Sequence, residues 1–292
     1  MDERYIIDKH GVRSAFERAA ASYDQAAILQ REVGDRMLSR LDYIKYHPDI
    51  ILDAGSGTGH GTRKLLTRYP DARILAVDLA LAMHIQATPP LPWWRRLGGR
   101  SSWQVAHVVA DIEQLPCRNA CAGLVWSNLA LQWCNDVRAT FAEVRRVLRT
   151  GGLFMFSTFG PDTLKELRAA FRSADGFSHV NRFPDMHDIG DMLVHSGFAT
   201  PVMDMEYITM TYDDAVSLMR DLKAIGAHNV TSGRRRGLTG KKTWKSILSH
   251  YETLRSEGKL PATFEVVYGH AWKPEPRTSV LTPETRRQLG LE

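Results

Sequence analysis

Four acidic or amide side chains recur where apolar runs end: Asp53 after Ile50-Ile51-Leu52, Asp78 after Ile74-Leu75-Ala76-Val77, Asp111 after Val105 to Ala110, and Asn128 after Leu124-Val125-Trp126-Ser127. Apolar runs bounded by turn signals read as buried strands, and in open α/β sheets ligands bind beyond the carboxyl ends of such strands. Directly after Asp53 comes Ala54-Gly55-Ser56-Gly57-Thr58-Gly59, a turn whose glycines let backbone approach a ligand closely. A dinucleotide fingerprint requires Gly-x-Gly-x-x-Gly, and counted from Gly55 its third glycine would fall on His60. A carboxylate at Asp78 can accept two ribose hydroxyls together. The chemistry these residues suit is the binding of a nucleoside with vicinal hydroxyls.

The form present, Asp53-x-Gly55-x-Gly57-x-Gly59, resembles the first motif of class I S-adenosylmethionine-dependent methyltransferases. The resemblance implies that Asp53 and the Gly55, Ser56, Gly57 and Gly59 loop lie beneath the amino-acid end of the cofactor. Asp78 would take the ribose, with Leu79 and Met83 beside it. Asp111 would accept from the adenine amino group while Ile112 packs on the ring, and Asn128-Leu129 would lie where the sulfonium points. Methyltransferases acting on exocyclic amines carry an Asn/Asp-Pro-Pro-Tyr/Phe element after strand four; here it is Asn128-Leu129-Ala130-Leu131, which disfavours that chemistry.

A closer resemblance is to the malonyl-[acyl-carrier-protein] O-methyltransferases of biotin synthesis. It rests on Phe16 to Asp24, Asn128 to Trp133, His179-Val180-Asn181-Arg182-Phe183, Leu222 to Ala227, and Tyr268-Gly269. It implies methylation of the free carboxylate of a malonyl thioester on an acidic acyl-carrier protein. That carboxylate is ionised at pH 7, because such acids titrate near ~4. It therefore needs alignment and exclusion of water rather than a base. Arg182 is the first candidate to hold it, since a guanidinium fork matches a carboxylate. His179 and Lys223 follow, and Tyr23 is expected to close over the cofactor. A quinone-type small-molecule methyltransferase, and a methyltransferase-like hydroxylase or assembly factor, are the alternatives.

These residues need a particular scaffold. Apolar positions at Val12, Ala15, Phe16, Ala19, then Leu29, Val33, Met37 and Leu41 recur at helical spacing, predicting helices over 12–41 with a break at Ser22-Tyr23-Asp24. Strand and helix then alternate: strand 50–54, helix 60–69, strand 73–78, helix 80–87, strand 105–110, strand 123–126, helix 136–148 and strand 153–158. Such alternation argues for βαβ units and a parallel sheet. Helices at 162–172, 185–195, 212–225 and 243–256, with strands at 202–210 and 263–272, complete the reading. The expected fold is α/β: a Rossmann-like, class I methyltransferase sheet of seven mostly parallel strands with helices on both faces. An N-terminal helical lid (1–45) precedes the cofactor domain (46–275), whose cap elements fall at about 161–260, and a flexible tail follows (276–292). Residues 88–101, rich in Pro, Gly and Trp, read as a surface insertion.

The 292 residues can bury a sizeable core, and 43% hydrophobic with 24% charged residues is ordinary for a globular protein. No apolar run approaches the ~20 residues of a membrane span, and the N-terminus has no signal-peptide core, so a cytoplasmic enzyme is expected. Cys117, Cys121 and Cys134 lack a second ligand pair at zinc spacing, so reduced thiols and no metal are expected. The net charge of +5 lies in patches: Arg95, Arg96 and Arg100; Arg145, Arg146 and Arg149; and Arg234, Arg235, Arg236, Lys241, Lys242 and Lys245. Each is either a solvated face or a surface for an acidic partner. The run from Arg234 to Lys245 holds a single tryptophan, Trp244, rather than a series of aromatics for stacking, so nucleic acid is the weaker partner and a carrier protein the stronger.

Overall fold

The computed structural model describes residues 5–88, 104–172, 177, 179–234, 237 and 239–275. The expected insertion beyond Thr88, the arginines Arg95, Arg96, Arg100, Arg235 and Arg236, and the tail 276–292 lie outside the described residues.

Seven strands form one sheet: β1 (Ile50–Ala54), β2 (Arg73–Asp78), β3 (Val105–Val109), β4 (Ala122–Asn128), β5 (Leu148–Phe159), β6 (Ala199–Tyr212) and β7 (Leu260–Trp272). Their order is β3-β2-β1-β4-β5-β7-β6. The first five run parallel, β7 runs against both neighbours, and β6 is therefore parallel to the rest. The last two strands do pair antiparallel as expected, with β7 slotted between β5 and β6. The chain between them forms α8 (Ala215–Ala224) and α9 (Lys241–Glu252). Order reverses between β1 and β4, so the crevice that accepts ligands opens at their carboxyl ends.

Period-two alternation divides the sheet's side chains between two cores. Ile51, Leu124, Trp126 and Met155 face one way, against Leu29, Val33 and Met37 of α2 (Ile28–Arg40). Leu52, Val125, Phe154 and Phe156 face the other, against Phe141 and Val144 of α5 (Val137–Val147). Each such large side chain, fully buried, contributes about 1.5–3 kcal/mol.

The lid is α1 (Lys9–Ala26) followed by α2, and the break falls at Ala27 rather than at Ser22-Tyr23-Asp24. The expected breakers are held in the helix by contacts across the fold. The Ser22 hydroxyl donates to the carbonyls of Ala19 and Ala224, and Asp24 accepts from the Thr58 hydroxyl. β5 starts at Leu148 rather than at the expected residue 153, so Gly151-Gly152 lies inside its twelve residues.

Among the described residues no helix is long and apolar enough to cross a membrane. Among them, too, no group of three or more His, Cys, Asp or Glu side chains could hold a metal ion. The three cysteines are unpaired, and burial pushes the Cys134 thiol up to about 12. The middle basic patch is occupied by structural bonds. Arg146 binds Glu143 and the carbonyls of Cys117 and Leu115, Arg145 donates to the carbonyl of Gly197, and Arg149 pairs with Asp49.

Candidate active site

The glycine loop is shaped by two neighbours. Gly55 and Ser56 donate their backbone N–H groups to the carbonyl of Val77, at 2.8 and 3.0 Å. Gly55 has φ +82°, and a Cβ there would stand 2.4 Å from that of Ala130, so only glycine fits. Asp78 staples the loop to the next helix: one oxygen accepts from Gly57 N–H and the other from Ala80 N–H, both at 2.9 Å. A carboxylate offers about four lone-pair positions, so two remain for a ligand. Gly59, at φ +81°, turns the chain into α3 (His60–Arg68) without itself lining either of the two cavities beside the loop.

Beyond Asp78 lies a cavity of about 660 Å³, walled by Leu79, Met83, Ile112 and Leu129. At its far side Asp111 is gripped by Lys9 of the lid, at 2.9 Å, and accepts from Glu113 N–H at 3.0 Å. Lys9 also pairs with Glu113; burial pulls its pKa down, but the two carboxylates outweigh that and hold it above the usual lysine value. Lys9, absent from the sequence-based candidates, thus ties α1 to the loop after β3.

On the other side of the loop a smaller hollow, about 460 Å³, holds Asp53, Ser56, Trp126, Gln30, Arg31 and His60 among its walls. Two donors buried here, Trp126 Nε1 and Ser56 Oγ, have no partner. Buried polar groups left unpaired cost free energy, so the hollow suits a polar occupant. Register places Trp126 abreast of Asp53 on neighbouring strands. Asp53 is 2% exposed and accepts from the Thr62 hydroxyl. Burial, reinforced by the negative Asp78, pushes its pKa up to about 7. A zwitterionic amino-acid group fits: its carboxylate takes the orphaned donors, and its ammonium meets Asp53.

That shift sets an expectation. An acid whose pKa is raised on folding stabilises the ligand-free fold below its unfolded value, ~3.9, and loses this as pH rises through about 7. A cation placed on Asp53 prefers the ionised form. Affinity for S-adenosylmethionine should therefore climb as pH rises from 5.5 to 7 and level off above, by about tenfold per pH unit at most. Asp53→Asn should bind weakly and flatten the profile in calorimetry. A parallel slope in that variant would assign the dependence elsewhere.

The third cavity, about 990 Å³, lies between lid and cap and touches the nucleoside cavity along Phe16, Tyr23, Leu129 and Trp133. Tyr23 borders all three spaces. Leu129 turns at φ +48°, its N–H donating to the Ser157 hydroxyl at 3.0 Å. That hydroxyl donates to Asn128 Oδ1, and Asn128 Nδ2 donates to the Gln30 carbonyl of α2 at 2.9 Å. Asn128 thus anchors the lid to the sheet.

The acceptor-side candidates divide. His179 lines the third cavity, stacked on Phe171 with ring centres 4.0 Å apart. Arg182 and Lys223 are not among the residues lining it; Arg182 lines a neighbouring cavity with Tyr5 and Gln132. Arg182 is exposed, its guanidinium 4.2 Å over the ring of Tyr5, and Lys223 is exposed at the end of α8. His179, Val180, Asn181 and Phe183 line the third cavity, whereas Arg182 between them is exposed. His228 and Asp221, unmarked in the sequence, line the cavity instead. Burial, then Arg18 and Lys223, hold the His228 pKa below its ordinary value, so the ring is neutral near pH 7.

A family model described as a methyltransferase domain matches residues 52–156. The malonyl-[acyl-carrier protein] O-methyltransferase of Nitrosospira multiformis is 71% identical over 99% of this chain and 96% of its own. That of Gallionella capsiferriformans is 58% identical over 94% of each. Among solved structures, the YcgJ protein of Bacillus subtilis superposes with a TM-score of 0.57 at 16% identity, covering 83% of this chain and 100% of its own, a likeness of fold.

Proposed function

The chain belongs to the malonyl-[acyl-carrier protein] O-methyltransferase family of S-adenosylmethionine-dependent class I methyltransferases, and from that premise we propose how its residues methylate the free carboxylate of a malonyl thioester. The observation that carries the reading is the junction at Tyr23 and Leu129, where the cavity bearing Asp78 and Asp111 meets a larger one between lid and cap. When bound, the cofactor supplies a methyl on a positive sulfur that leaves as a neutral thioether. Asp78 takes the ribose hydroxyls, Asp111 and Ile112 the adenine. Asp53, with Ser56 and Trp126, takes the amino-acid end. Gly55 and Gly57 let the backbone approach, Leu79 and Met83 wall the nucleoside, and Asn128 and Leu129 set the floor beneath the methyl.

A cation on the acceptor is unnecessary. The carboxylate and the sulfonium attract one another, and transfer abolishes both charges. Surroundings of low polarity strengthen that attraction and disfavour the charged ground state relative to the neutral products. Phe16, Leu129 and Trp133 provide such surroundings, and a guanidinium against the carboxylate would stabilise the reactant instead. The physical requirements are alignment and dryness, which Tyr23 and the lid supply.

The acidic carrier protein docks on basic surface, for which Lys241, Lys242 and Lys245, all exposed on α9, are suited. The enzyme works in the cytoplasm, at an early step of biotin (pimeloyl) synthesis. Incubation with methyl-labelled cofactor and malonyl-carrier protein, malonyl-CoA or quinone precursors tests the reading. Label is expected in the methyl ester of the malonyl substrates; label only in a quinone would overturn it.

A further inference from the structure

Arg168, Arg172 and Arg182 gather outside the wall of the acceptor cavity. Leu164 and Leu167 line that cavity, and α6 (Lys165–Arg172) carries Arg168 and Arg172 away from it. Across from them Arg182 projects from the stretch whose Asn181 and Phe183 face inward. Arg168 is fixed by two backbone carbonyls, donating to Pro161 at 2.7 Å and Thr163 at 2.9 Å. Among the described residues none of the three forms an ion pair with a carboxylate. The acid facing Arg168, Asp162, pairs with Lys165 at 3.2 Å. Burial and then Arg172, with a contribution from Arg182, hold the Arg168 guanidinium below its ordinary value. Three guanidinium groups on one side of the wall, with Asp162 engaged by Lys165, favour an anion among them.

Inside the wall the pattern reverses, from donors to acceptors. Gln132 Oε1 and Asn181 Oδ1 are buried without partners, and both residues line the cavity. The Gln132 amide is oriented by its own bond, Nε2 donating to the Leu129 carbonyl at 2.6 Å, so the oxygen is the end left over. Orphaned acceptors require N–H or O–H donors, which a carboxylate cannot supply. An apolar arm bearing amide N–H groups, with a phosphodiester at its outer end, matches the inside and the outside together.

We propose that the carrier protein's phosphopantetheine arm runs through this cavity wall, its phosphodiester held by Arg168, Arg172 and Arg182 and its amide N–H groups by Gln132 and Asn181. The proposal rests on the carrier-linked substrate assigned above. The arm then leads from the arginines past Asn181 toward Leu129, delivering the malonyl end to Tyr23. A basic docking face on α9 is compatible, because α9 packs on α6.

The test compares two thioesters: malonyl-phosphopantetheine, which carries the phosphate, and malonyl-N-acetylcysteamine, which lacks it. The readout is the ratio of their kcat/KM values. Arg172→Gln and Arg182→Gln, both exposed, spare the carbonyl bonds of Arg168. Each should reduce the ratio about five- to tenfold and the pair at least thirtyfold, through KM for the phosphate-bearing thioester, with less effect at high salt. An unchanged ratio, or an equal loss on both thioesters, would overturn the assignment. A wild-type enzyme that methylates neither thioester would instead fail the substrate reading itself. Gln132→Glu, which keeps the acceptor and loses the donor to Leu129, separates positioning from recognition: KM should stay closer to wild type than in Gln132→Leu. The reverse order would remove Gln132 from the path.

Discussion

Asp78→Ala is expected to weaken S-adenosylmethionine binding by two to four orders of magnitude. The carboxylate would accept two ribose hydroxyls, and hydrogen bonds to a charged group contribute about 1.5–3 kcal/mol each. Burial raises the Asp78 pKa, while the N–H groups of Ala80 and Gly57 oppose that by favouring the charged form. The same two N–H groups lose their acceptor in the variant, so the glycine loop loosens and thermal stability falls by a few degrees. Asp78→Asn keeps one acceptor and should lie between. Calorimetry on folded protein decides: affinity unchanged in Asp78→Ala would reduce this residue to a loop staple.

Tyr23→Ala should lower kcat/KM by about 10²- to 10³-fold, or ~3–4 kcal/mol of barrier, by admitting water at the junction of the three cavities. The ring packs with Phe16, Ala20 and Met83, so much of its work is steric. Its hydroxyl stays protonated through the neutral range, because burial and the nearby Asp78 and Asp24 push its pKa well up. Tyr23→Phe, which keeps the ring, is therefore expected within about tenfold of wild type and with the same pH profile. If Phe proves as damaging as Ala, the hydroxyl itself contacts the reacting groups, and the roofing role is wrong.

Much of the cofactor side was legible because it is local. A strand end, the turn after it and the helix beyond are contiguous, so the spacing from Asp53 through Gly59 to Asp78 specifies geometry without reference to distant chain. Continuous apolar runs in β1, β4 and β5 likewise announced buried strands and, with the intervening helices, a parallel sheet. Partners from the lid were not legible. Lys9 and Arg31 reach the site from helices that sequence distance separates from it, and their charges resemble those of any solvated helix face. Trp126 looked like one more core residue until register set it beside Asp53 with its N–H unpaired.

The acceptor side shows the sharper division. By itself the sequence determined the strand-helix alternation, the glycine turn, the acids at the strand ends and hence the class of cofactor, because short-range sterics and hydrophobic period govern all of them. Only the tertiary structure decided that α1 continues through Tyr23, that β7 inserts between β5 and β6, and that Arg182 faces out while Asn181 faces in. These outcomes depend on which distant surfaces meet. Ser22 stays helical because Ala224 offers it a carbonyl, and Arg182 is left exposed while its neighbours Asn181 and Phe183 line the cavity.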